Sequence, residues 1–183
     1  MRELSLNILD IVQNSISAKA SLIEIDINED FKNDNMGIFI KDNGKGMTEE
    51  QVRQVIDPFF TTRTTRKVGL GVPLFKMAAE MTGGSFDISS EQNIGTKTSA
   101  NFKLSHVDLV PLGDMCSTVC ILIRCNPEIN FIYRHKRNDK EFILDTMELR
   151  QVLGEDVSLN NEDVLKWIND FIMENIQEIY GGT

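Results

Sequence analysis

Leu4, Ile8, Ile11, Val12, Ser15 and Ile16 recur at helical spacing, which predicts an amphipathic helix over residues 4–18 with Asp10 and Asn14, four apart, on a neighbouring face. Leu22-Ile23-Glu24-Ile25-Asp26-Ile27 then alternates apolar and polar as a half-buried strand does. Gly37 to Asp42 repeats that pattern after a polar Asn/Asp turn, so a hairpin is expected. Thr48 followed by Glu49 and Glu50 reads as the N-cap and acidic first turn of a short helix ending near Ile56, before Asp57-Pro58. Gly71 to Thr82 returns to helical spacing and stops at Gly83-Gly84, a strand comes next around Ser85 to Ser89, and Gly95-Thr96 opens another that runs to about Leu104.

Pro111-Leu112-Gly113-Asp114 interrupts the pattern, and the segment beyond it does not repeat the first half. A helix is expected over 115–124. Strands are expected over 130–134 and 141–144, joined through Lys136-Arg137-Asn138-Asp139, and a long amphipathic helix over 161–180. The expected organisation is two domains, 1–106 and 107–183, the second a small acidic α/β appendage.

With 183 residues, 41% hydrophobic and 26% charged, the chain is long enough for a sizeable core and has no disordered composition. Its longest apolar stretches are far shorter than a membrane span and its first residues are not those of a signal peptide, so no membrane partner and a cytoplasmic location are expected. Three cysteines crowded into one segment, Cys116, Cys120 and Cys125, argue against a secreted disulfide framework. The net charge is −9, and the acid is concentrated late: 12 basic and 14 acidic residues precede residue 107, whereas 7 and 14 come after it. Nucleic acid is a poor partner for such a chain, because that affinity comes from clustered Lys and Arg.

Four stretches carry candidate chemistry. The amide oxygen of Asn14 is a neutral, hard ligand suited to Mg²⁺, and Asp10, one turn earlier, is placed to orient or deprotonate a water beside a terminal phosphate. Read alone, the two are equally well a polar stripe on a surface helix. Asp42 at a strand end offers an acceptor for an adenine amino group, Gly44 and Gly46 permit close backbone approach, and Met47 can pack on the ring. A plain Asp-Asn-Gly turn is the competing reading. Gly69-Leu70-Gly71 ahead of a helix supplies bare N–H groups for phosphate oxygens, with Arg63, Arg66 and Lys67 as countercharge. Leu74 stands where a third glycine would complete a dinucleotide fingerprint, and the other phosphate-loop pattern is missing too. The hydroxyl of Thr96 can reach the same base edge as Asp42, although β-propensity alone accounts for a threonine there.

In this order, Leu9 to Ser15, Asp42 to Met47, Pro58 to Arg63 with Gly69-Leu70-Gly71, and Gly95-Thr96 resemble the four motifs of the GHKL superfamily, the ATP-binding fold of gyrase, heat-shock chaperones, histidine kinases and mismatch-repair ATPases. The resemblance covers residues 4–104. It implies an α+β fold of Bergerat type: a two-layer sandwich in which a mixed sheet is covered by helices on one face. It also implies ATP and Mg²⁺ as cofactors, with the metal on Asn14 and adenine on Asp42 and Thr96. Ala18, Gly44, Gly46, Met47, Phe59, Arg63, Gly69, Leu70 and Gly71 would line the rest of the nucleotide, and Asp10, Arg66 and Lys67 would act on the terminal phosphate. In the hydrolysing branches of the family a glutamate stands where this chain has the shorter Asp10. Only three residues precede the first helix, so self-phosphorylation on an upstream hairpin histidine is not expected, and His106 and His135 read as structural.

The segment from Pro111 onward is faintly similar to small stand-alone ATP-binding proteins of anaerobic bacteria that accompany hydrogenase-type redox systems. Cys116 and Cys120 lie one turn apart, but without a fourth cysteine packed thiols are favoured over an iron–sulfur site. The apolar stripe of Val164, Leu165, Trp167, Ile168, Phe171, Ile172 and Ile176 is expected to cover its own core, with homodimerisation left open. Two functions compete. One is an ATPase or a phosphotransferase acting on a partner protein in trans, in regulation or signalling, with redox proteins among the candidate partners; the other is a non-hydrolysing ATP/ADP-sensing module that controls such a partner. A DNA-related role ranks below both.

Overall fold

The computed structural model describes residues 3–57, 70–154 and 156–181. Twelve elements succeed one another among them: α1 (Leu4–Ser17), β1 (Leu22–Asp30), β2 (Asn35–Asp42), α2 (Glu49–Ile56), α3 (Gly71–Met81), β3 (Ser85–Glu91), β4 (Gly95–Lys103), α4 (Met115–Cys125), β5 (Asn130–Arg137), β6 (Lys140–Asp145), α5 (Thr146–Leu153) and α6 (Glu162–Ile179). The strands form one mixed sheet in the order β3-β4-β2-β1-β5-β6. Among the described strands only the β1–β5 pair is parallel. The fold is thus α+β, a sheet with its helices packed across one face.

Alternation along the central strands divides the sheet into a covered and an open face. Ile23, Ile25 and Ile27 of β1 point inward with Met36, Ile38 and Ile40 of β2 and Phe131 and Tyr133 of β5, all of them buried. Between them lie Glu24, Asp26 and Lys41 on the open face, where Lys41 meets Glu24 at 3.0 Å and Arg134 meets Asp26 at 2.6 Å. Helices α3, α1, α4 and α6 lie side by side over the inward face, since α1 packs against both α3 and α4, and α4 against α6.

The chain leaves the sheet after β4 and re-enters it at β5, and a single apolar core runs through both halves. The intervening Pro111-Leu112-Gly113 stretch does more than break the pattern. The first two amides of α1 donate to it, Leu4 N to the Pro111 carbonyl at 3.0 Å and Ser5 N to that of Leu112 at 2.7 Å, which satisfies helix-end donors that no side chain caps. The helix expected over 161–180 is α6, and the hairpin expected around residues 136–139 turns at Asn138 in the left-handed region. Helix α5 has no counterpart among the expected elements. Its start is marked by the Asp145 carboxylate, which accepts from Met147 N at 2.8 Å.

Candidate functional site

The second half of α1, the loop after β2, the start of β4 and the N-terminus of α3 meet at one corner of the sandwich. Asp42, the last residue of β2, is 8% exposed. Its Oδ2 accepts from the buried Ser15 hydroxyl of α1 at 2.6 Å and its Oδ1 from Gly44 N at 2.8 Å. Both bonds fix the carboxylate plane and leave further lone pairs for a ligand N–H.

The loop after Asp42 lies directly on the end of α1. A Cβ on Gly44 would sit 2.9 Å from both the Cβ and the carbonyl oxygen of Ala18, and Lys45 N donates to that carbonyl at 2.9 Å. Gly46 has φ +64° and no room at all, since a Cβ would stand 1.9 Å from the Glu91 carbonyl oxygen. Met47 is half-buried, its amide donating to the Ser90 hydroxyl of β3 at 2.8 Å. Asn43 clamps the neighbouring strand: its Oδ1 accepts from Ser21 N and Leu22 N, each at 2.9 Å.

Thr96 is the cross-strand partner of Asp42, so the two side chains share a face, and Ser90 is the partner of Thr96 on the other side. Ser90, Thr96 and Asp42 therefore form one polar row across three strands. At its end the Ser15 hydroxyl comes down from the helix.

Asp10 and Asn14 lie one turn apart on the exposed side of α1, with Ala18 a further turn on. Helix α3 begins against Asp10. Leu70 is its N-cap and is exposed, whereas Gly71 is buried so tightly that a Cβ would come within 2.6 Å of the Asp10 Cβ. Partial desolvation raises the Asp10 carboxyl above its ordinary value. The structure thus gathers Ala18, Asp42, Gly44, Gly46, Met47 and Thr96 around the end of β2, and sets Gly71, with Leu70 before it, against Asp10, one turn of α1 ahead of Asn14. Phe59, Arg63, Arg66, Lys67 and Gly69, with the rest of the expected lid, lie outside the described residues.

Two residues of this corner are not marked as site residues by the sequence. Periodicity assigns Ser15 to the packing face of α1, and a hydroxyl within an Ile and Val stripe is the available signal. Ser90 has none, because its partners are fixed by strand register.

The donors present suit magnesium chemically. Asn14 offers a neutral oxygen ligand, and a small cation that keeps several waters needs few protein ligands when phosphate oxygens complete its shell. Among the described residues, no group of three or more His, Cys, Asp and Glu side chains is gathered as a metal cage. Cys116 and Cys120 instead meet Asn169 of α6, whose Nδ2 lies 3.3 Å from the Cys116 sulfur, and burial with Cys120 alongside pushes the Cys116 thiol up to about 12. His106 accepts from Asp108 N within its own turn, while His135 is buried between Tyr133 and Glu29.

A family model described as histidine kinase-, DNA gyrase B- and HSP90-like ATPase matches residues 2–106. The Sensor protein SrrB of Staphylococcus aureus is 44% identical over 64 residues, 32% of this chain and 11% of that protein. The chain therefore spans a small part of the curated relatives it matches. Among solved structures, the Aquifex aeolicus MutL ATPase domain complexed with ADP superposes with a TM-score of 0.52 at 13% identity, covering 100% of this chain and 70% of that one. The N-terminal domain of a DNA repair protein gives 0.57 at 14% identity, over 99% of this chain and 57% of the other. At such identities the likeness is one of fold.

Proposed function

Since the chain belongs to the histidine kinase-, DNA gyrase B- and HSP90-like ATPase family, we propose that it binds Mg·ATP at this corner and transfers the terminal phosphoryl group to water or to a partner protein in trans. The observation that carries this reading is the Asp42 carboxylate, held at the end of β2 by Gly44 N and by the Ser15 hydroxyl of α1, the helix whose exposed side bears Asn14 and Asp10.

In this reading Asp42 and Thr96 receive the adenine edge, and the half-buried Met47 lies beside the ring. The triphosphate runs along α1 toward the N-terminus of α3, where helix-end amides and the positive end of the dipole favour anions. The magnesium ion, when bound on Asn14, neutralises charge on the phosphates. Asp10 then holds the attacking water. Partial desolvation raises its carboxyl above the ordinary value, the direction that strengthens a proton acceptor. Arg63, Arg66 and Lys67 supply the remaining countercharge.

The short side chain at position 10 favours a second reading, a module that senses ATP against ADP without turnover and controls a partner. One incubation separates the two: pure protein with labelled Mg·ATP, alone and with candidate partners, following free phosphate and protein-bound label. Turnover or label transfer is expected; binding with neither in every case would leave the sensing module.

A further inference from the structure

We propose that Ser90 determines which purine this site accepts, by fixing the direction in which the Thr96 hydroxyl presents its proton; the proposal rests on the nucleotide reading above. Three contacts converge on the Ser90 oxygen. Met47 N donates to it at 2.8 Å, it donates to the Gly95 carbonyl at 3.0 Å, and the Thr96 hydroxyl lies 2.8 Å away.

A serine hydroxyl has one proton and two acceptor positions. The Gly95 carbonyl can only accept, so it takes the Ser90 proton. The Met47 amide can only donate, so it fills one acceptor position. All three contacts are hydrogen bonds together only if Thr96 donates its own proton to the second. Thr96 then has nothing but lone pairs to offer elsewhere.

Its neighbour on the same face is the Asp42 carboxylate, also an acceptor. These two groups of the base edge are therefore acceptors only, and they match a purine carrying an exocyclic amine. A keto oxygen at that position would face two acceptors and lose both partners. Ser90 itself touches no ligand in this scheme; it is a positioning residue acting through Thr96. Replacing it with alanine frees the Thr96 hydroxyl to rotate and donate to a keto group.

The test is calorimetric titration of the full chain with Mg·ATP and with Mg·ITP, in which a keto oxygen replaces the amine. The unaltered protein is expected to bind ATP more tightly than ITP. Ser90→Ala is expected to narrow the ratio of the two dissociation constants by about tenfold, and Ser90→Thr, which keeps the hydroxyl, to restore it. Should the alanine variant fail to fold, Ser90→Cys carries a poor acceptor of similar size and is expected to narrow the ratio in the same way.

An unchanged ratio, equal affinity of the unaltered protein for ATP and ITP, or equal weakening of both nucleotides in the variant would overturn the role of Ser90. Absence of any binding to ATP by the unaltered protein would overturn the nucleotide reading instead.

Discussion

At the scale of single residues, the site depends on a hydroxyl that the pattern of the chain assigns to packing. Ser15 is buried and spends its proton on Asp42 at 2.6 Å. Replacing it with alanine removes a charge-assisted bond and leaves the carboxylate short of a partner, a cost of about 1–3 kcal/mol. The Ser15→Ala protein is therefore expected to unfold at a lower urea concentration and to bind ATP roughly tenfold more weakly, read by calorimetry. Unchanged affinity would mean that Asp42 is held well enough by Gly44 N alone. Asp10 poses the opposite case. Its carboxyl is raised by desolvation, so the folded state disfavours its charge, and the penalty sets in as the pH rises above the unfolded value of about 3.9 and is complete above the folded one. Asp10→Asn keeps the shape and relieves that penalty. The variant is expected to bind Mg·ATP normally, to melt no earlier than the parent at neutral pH, and to release no phosphate; turnover at the parental rate would remove Asp10 from the mechanism.

At the scale of elements, the distance between α1 and α3 is set by a missing side chain. Because a Cβ on Gly71 would sit 2.6 Å from that of Asp10, Gly71→Ala has to push the start of α3 away from the helix that carries Asp10 and Asn14. Overpacking of this kind costs about 1–3 kcal/mol. The sharper expectation is functional: turnover falls further than stability does, because the amides of α3 move off the phosphate path, and parallel melting and phosphate-release assays compare the two losses. The helices and strands themselves are legible in the sequence. Alternation and helical spacing place α1, β1, β2, α2, α3, β3, β4, α4, β5, β6 and α6 close to their observed bounds, because each signal lies within its own segment. Periodicity does not supply pairing between distant segments. Nothing local tells β5 to lie parallel to β1, or Ser90 to reach Met47, 43 positions away, and α5 is hidden because its eight residues adjoin β6 without a break. Asp42, Gly44 and Gly46 are readable for the converse reason: a turn and its carboxylate are contiguous in the chain.

At the scale of the whole molecule, the family match ends at residue 106 while the sheet continues. The join is polar at one end and buried. Glu29 at the end of β1 receives Arg137 on Oε2 at 2.8 Å, while His135, at 2.9 Å, and the Tyr180 hydroxyl meet its Oε1; the other ring nitrogen of His135 is 2.8 Å from the Tyr133 hydroxyl. Arg137 also stacks between the rings of Phe31 and Tyr180, 4.4 and 4.0 Å from their centroids. One carboxylate of the first half thus holds β5 and the end of α6. Burial by itself would raise the Glu29 carboxyl, but the hydrogen bonds from His135 and Tyr180 and the charge of Arg137 outweigh it and hold the group below its usual value. A depressed folded pKa contributes stability that is complete above the unfolded value of about 4.3 and is lost as the pH falls through the folded one. Denaturation midpoints measured from pH 7 downward are therefore expected to hold until about pH 4 to 5 and then to drop. Glu29→Gln leaves the Arg137 charge without its partner and is expected to cost about 1–3 kcal/mol at neutral pH. With its titrating group gone, the variant should also show a shallower decline in acid, and a decline as steep as the parent's would place the acid sensitivity in other carboxylates.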